Sequence, residues 1–152
     1  MSPEGRDAGP GFRFVARALT ALALEQPRMH ARLLAAMGEF DLAFALADER
    51  FTVAFRATGV RAQALPPRLP ATRQARIECN YSALFALIDG KLLLEAALLE
   101  DRLGVHGRLP ALDMLEQGFT TFIHGAVATE AMPALLAAFR AETDSTLAQA
   151  RN

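Results

Sequence analysis

The residues able to do chemistry are few and widely spaced. The chain has three histidines, His30, His106 and His124, and one cysteine, Cys79. No pair of histidines stands at metal-ligand spacing, and no Glu stands at the offset of a zinc peptidase, so no metal site is expected. Cys79 precedes Asn80, a residue suited to cap a helix, and a helix N-terminus can lower a thiol pKa. Yet Cys79 alternates with Ile77 and Ala75, which turns its side chain to the buried face of a strand. There it acts as a small hydrophobe. Asp41, Asp48, Glu49, Asp89, Glu100 and Asp101 form no carboxylate pair that spacing alone brings together. There is no G-x-S-x-G elbow and no glycine-rich phosphate loop. A non-enzymatic chain without cofactor is the expectation. An enzyme centred on Cys79 or His106 stands as the third alternative.

The elements around these residues carry the stronger signal. Phe12, Val15, Leu19 and Leu22 recur at helical spacing. Pro27 interrupts that helix and can begin another at its first position, carrying Met29, Leu33, Leu34 and Met37 to a stop near Gly38. Phe40, Leu42, Phe44 and Leu46 alternate with small or polar residues, as do Phe51, Val53 and Phe55. These predict an antiparallel hairpin turning at Asp48–Arg50, with one aromatic-aliphatic face. A third strand is expected over Val60–Leu65. Pro66, Pro67 and Pro70 make the next segment a loop or frayed edge. Ala75–Cys79 predicts a half-buried strand and Asn80 the N-cap of a short helix ending at Gly90. Another short helix is expected over Lys91–Leu99. Leu103 and Val105 then point one way and Arg102 and His106 the other. From Pro110 a helix carries Leu112, Leu115, Phe119, Phe122 and Ile123. A last helix, capped at Thr129, carries Leu135, Leu136 and Phe139.

The stretch from Ala75 to Leu115 resembles the C-terminal half of the sterol carrier protein type 2 domain. The matching residues are Leu87-Ile88-Asp89-Gly90-Lys91-Leu92, then Ala97-Leu98-Leu99, then Arg102-Leu103-Gly104-Val105-His106-Gly107. The likeness runs more weakly back to about Phe40. One position departs from the family, which usually has Gly where this chain has Asp101. The resemblance agrees with the α+β fold that the elements suggest: a mixed, mainly antiparallel sheet of about five strands with helices on one face. The expected organisation is a flexible arm over 1–11, one domain over 12–142 and a frayed tail over 143–152.

Composition narrows the function. The 152 residues are 52% hydrophobic and 22% charged, with net charge −1. Mean hydropathy is +0.17. There is no basic surplus to neutralise phosphates, so no nucleic-acid partner is expected. No apolar run has the length of a transmembrane segment. The first residues lack a signal-peptide pattern, the last lack a peroxisomal tripeptide, and the lone cysteine suits a reducing compartment. The cytoplasm is the expected location, and the Ala, Arg and Leu usage suggests a GC-rich bacterial genome. The apolar helices exceed what one face of a small sheet requires. They are expected to enclose a fatty acyl chain, an isoprenoid or quinone precursor, or a sterol-like lipid, for transfer or for presentation to an enzyme. The candidate lining is Phe85, Ile88, Leu92, Leu98, Leu112, Leu115, Phe119 and Phe122, with Arg56, Arg102 and His106 as polar groups at the mouth. The alternative is an interaction module, a homodimer or an accessory factor for a partner enzyme, that buries the same surfaces against protein.

Overall fold

A computed structural model describes residues 9–151. Among them are six α-helices and one five-stranded sheet. The order along the chain is α1 (Pro10–Glu25), α2 (Pro27–Met37), β1 (Phe40–Leu46), β2 (Glu49–Arg56) and β3 (Gly59–Gln63). A 3-10 turn (Ala71–Arg73) leads to β4 (Gln74–Cys79), α3 (Tyr81–Ile88), α4 (Leu94–Leu99), β5 (Leu103–Gly107), α5 (Leu109–Val127) and α6 (Met132–Arg151).

The strand order is β3-β2-β1-β4-β5. Only β1 and β4 run parallel; the other neighbours are antiparallel. The alternation in the sequence decides which face is which. Phe40, Leu42, Phe44 and Leu46 share a face with Phe51, Val53, Phe55, Ala75, Ile77, Cys79, Leu103 and Val105. The helices pack on this side, so the expected α+β architecture is the observed one. The hairpin turn is tighter than expected. Leu46 pairs with Glu49, leaving Ala47 and Asp48 as the turn, with Ala47 at φ 53.

Pro10 and Gly11 lie buried in the first turn of α1, inside the stretch expected as an arm. Its residues 1–8 lie outside the described residues. The cause is Glu49 of β2, whose carboxylate accepts the N–H groups of Gly11 (2.8 Å) and Phe12 (3.0 Å) and the hydroxyl of Tyr81. A helix start leaves such N–H groups without partners inside the helix, and a carboxylate also suits its positive end. Helix α6 begins in the same way. Glu25 at the end of α1 accepts from the N–H groups of Glu130 (2.7 Å) and Ala131 (3.2 Å). Thr129, expected as that cap, instead donates its hydroxyl back to the Gly125 carbonyl at 2.8 Å. Helix α6 itself continues to Arg151, through the stretch expected as a frayed tail.

The chain returns from β3 to β4 through the proline-rich segment, held by Asp41. Its Oδ2 accepts the N–H groups of Arg68 (2.8 Å) and Leu69 (3.1 Å), and its Oδ1 is ion-paired with Arg56 Nη2 at 2.8 Å. Asp41 is fully buried. Burial alone would raise its pKa. The N–H donors and the Arg56 guanidinium outweigh burial and hold the carboxyl below the usual range.

Candidate functional site

Three cross-strand rows on the helix-covered face define the site. The first is Val53–Leu42–Ala75–Gly107 and the second is Phe51–Phe44–Ile77–Val105. The third is Leu46–Cys79–Leu103.

Helix α5 starts over the first row. Ala75 and Gly107 are small there. A Cβ on Gly107 would lie 3.3 Å from the Ala75 Cβ and 3.4 Å from Leu112 Cδ2, so the helix comes down close to the strands. Further along, Gly118 and Gly125 face Met37 and Leu22 and let α5 press onto α1 and α2. Helices α3 and α4 take the third row. Leu92 and Ala97 bury Leu103, while Leu84 and Phe85 pack with Leu46, Cys79 and Tyr81.

The middle row lies between these two groups of helices. Val53, Leu42 and Ala75 on one side and Leu46 and Leu103 on the other are buried, yet Phe44, Ile77 and Val105 are only half-buried. Ile77 packs against both the main core and the α3–α4 cluster, which makes it the floor between them. Phe51 stacks on Phe44 (5.0 Å between ring centres) and receives the edge of Phe12 (5.6 Å), closing the β2 end. Helix α5 carries a further apolar line. Leu112, Phe119 and Ile123 follow one another at i, i+7 and i+11, which is one line along a helix. Phe119 is 51% exposed and Ile123 41%. Phe44, Ile77 and Val105 on the sheet and Phe119 and Ile123 on α5 are thus apolar side chains that the packing leaves incompletely covered.

The expected lining residues fall into distinct places. Leu115 and Phe122 are half-buried against the main core, and Leu112 is half-buried against Gly107. Phe119 lies exposed on α5. Phe85 packs on Phe139 of α6 at 4.9 Å, and Phe139 stacks on Phe14 at 4.8 Å. Ile88 is 39% and Leu98 42% exposed, and Leu92 is buried in the α4 cluster.

The polar residues expected at the mouth lie in separate places. His106 alternates with Val105 and therefore leaves the sheet on the face away from the helices. There its Nε2 lies 3.4 Å from Glu78, whose other oxygen is 2.8 Å from Arg76 Nε. Arg102 sits exposed just before β5, and Arg56 is committed to Asp41. A polar group beside one expected lining residue, Phe85, is Arg140 of α6. Its guanidinium lies 4.6 Å from the centre of the Phe85 ring and is ion-paired with Asp89 at the end of α3. Sequence reasoning did not single out Phe44, Ile77 and Val105 as lining, because alternation gives the face a residue occupies and not how completely the helices cover it.

Cys79 is half-buried, and burial pushes its thiol pKa up, away from the thiolate a nucleophile needs. Among the described residues no cluster of His, Cys, Asp or Glu is placed to hold a metal ion. Among them, too, no single helix is long and apolar enough to cross a membrane.

No protein-family model matches the chain, and no curated protein matches it in sequence. Solved structures do match in fold. One is described as the ubiquinone synthesis protein UbiJ-SCP2, with TM-score 0.52 and 12% identity, over 72% of this chain and 88% of that one. Another is the sterol carrier protein domain 2 of Helicoverpa armigera, with TM-score 0.52 and 12% identity, over 80% of this chain and 93% of that one. At that identity the likeness establishes the fold: the chain has the fold of sterol carrier protein 2 domains.

Proposed function

We propose that the chain binds a hydrophobic small molecule along a trough floored by Phe44, Ile77 and Val105 and carries or presents it without chemically changing it. The observation that supports this most is the incomplete cover of that row. Phe44, Ile77 and Val105 on the helix-covered face are left half-buried beside the buried Leu42, Ala75, Leu46 and Leu103, and α5 carries a partly exposed apolar line. A hydrocarbon chain laid there completes the burial, at about 25 cal/mol for each Å² of apolar surface removed from water.

The ligand is a fatty acyl chain, an isoprenoid or quinone precursor, or a sterol-like lipid. A quinone precursor gains weight from the fold shared with a protein described as serving ubiquinone synthesis. Its hydrocarbon part would occupy the trough. A polar head would remain outside or approach the Arg140–Asp89 pair. A reducing, cytoplasmic setting suits the single thiol.

Titration with an environment-sensitive fluorescent fatty acid tests the reading. Saturable enhancement, reversed by an unlabelled long-chain competitor and abolished in Ile77→Asp that remains folded, is the expected result. Enhancement that ignores both the competitor and the substitution would refute it.

A second reading rests on α4, where Leu93 is 72% and Leu99 87% exposed. Such a pair of leucines beside Leu98 suits a partner protein, an enzyme that receives the ligand. Leu93→Ser with Leu99→Ser would then leave ligand binding intact and abolish transfer to that enzyme.

A further inference from the structure

A second apolar feature lies outside the trough, on the outer side of α1. Ala16, Thr20 and Ala21 form the floor of a groove between α1 and the start of α6, with Leu24 and Leu135 at its walls. Its volume, ≈ 410 Å³, is ligand-sized, but it lies open along its length and its lining is nearly all apolar. Leu24 stands 78% exposed beside it. Its two ends carry opposite charges, Arg17 and Glu25.

That distribution is self-complementary. Arg17 and Glu25 are eight residues apart on one face, about 12 Å along the axis, and Ala21 is midway between them. If two copies of α1 cross antiparallel at Ala21, each Arg17 meets the partner's Glu25. Each Leu24 then enters the other's groove. A small residue at the crossing point permits the close approach that helix packing needs. Arg17 is available for this, since its contact with Glu142 is long (3.3 Å) and its side chain half exposed. Glu25 accepts two backbone N–H groups and keeps lone pairs for a further donor.

We propose that this groove is the contact surface for a second copy of the chain, in a two-fold antiparallel α1–α1 dimer. The surface is separate from the trough, so the dimer neither needs nor blocks the ligand. Sedimentation equilibrium of the full chain at low salt and high concentration tests it. The wild type is expected to approach the dimer mass, and Leu24→Lys, with an unchanged circular dichroism spectrum, to stay monomeric. Arg17→Glu and Glu25→Arg are each expected to be monomeric alone and to form a heterodimer when mixed, because the mixture restores both attractive pairs. Glu25 also caps α6. If Glu25→Arg does not fold, the Leu24→Lys result decides. A wild type that remains monomeric at millimolar concentration would overturn the proposal, as would a dimer that Leu24→Lys leaves intact. Retained fluorescent fatty acid binding in Leu24→Lys separates this outcome from a failure of the trough.

Discussion

Phe44 and Ile77 face each other across the only parallel strand pair of the sheet, and both remain half-buried while Leu42 and Ala75, one step along the same strands, are buried. The difference follows from where the helices land. Small residues at Ala75 and Gly107 draw α5 down onto one row, and the Asn80 cap starts α3 over another, its side chain accepting the Ala83 N–H at 2.8 Å. The row between them is apolar and incompletely covered.

The trough's wall can be altered without much cost to the fold. Phe119 is half exposed, and substitutions at such positions usually change stability by less than about 0.5–1 kcal/mol. Phe119→Asp should therefore keep its melting temperature within a few degrees while losing most of its bound hydrophobic ligand. Calorimetry and ligand titration on the same sample check both parts.

Asp41 carries a pH dependence with a definite sign. Its folded-state pKa lies below its unfolded value. The stability it contributes is therefore fully present above the unfolded value of about 3.9 and is lost as the pH falls through the folded value. Urea unfolding between neutral pH and pH 3 should show this loss in the wild type and a shallower one in Asp41→Asn. At neutral pH the substitution should cost about 1–3 kcal/mol, since it removes the charge facing Arg56 while Arg56 keeps its bonds to the Phe40 and Phe55 carbonyls.

Asp101 has φ 56, the left-handed conformation that Gly adopts without penalty. Asp101→Ala should destabilise by about 1 kcal/mol, and Asp101→Gly should be neutral or slightly stabilising. Chemical denaturation of the two variants side by side is the check.

Cys79 should behave as a core residue. Alkylation by iodoacetamide should be slower than for a free thiol and should rise only at higher pH, because burial raises the thiol pKa. Cys79→Ala should retain ligand binding. Loss of a chemical activity in that variant would point instead to an enzyme.

Much of the fold was legible because the elements obey simple periods. Alternation at Phe40–Leu46 and Phe51–Phe55 gave the hairpin and its inner face, and Pro27, Asn80 and Gly90 marked helix boundaries that the structure keeps. The long-range caps were not legible. Glu49 lies far from Gly11 in sequence, and Glu25 far from Glu130, and nothing local distinguishes these glutamates from solvated ones. The site was half legible. The apolar stripe on α5 could be read from spacing, but the incomplete cover of Ile77 depends on how two helix groups share one sheet. His106 was placed on the correct, polar face of its strand, and that face lies away from the helices.

The most direct measurement is native mass spectrometry of the freshly purified chain. The account predicts a mass above that of the polypeptide, falling to the bare chain under denaturing conditions, with the released mass matching a lipid-sized hydrophobic molecule. It also predicts that the excess disappears in folded Ile77→Asp. A bare-chain mass under native conditions, unchanged after incubation with long-chain lipids, would contradict it.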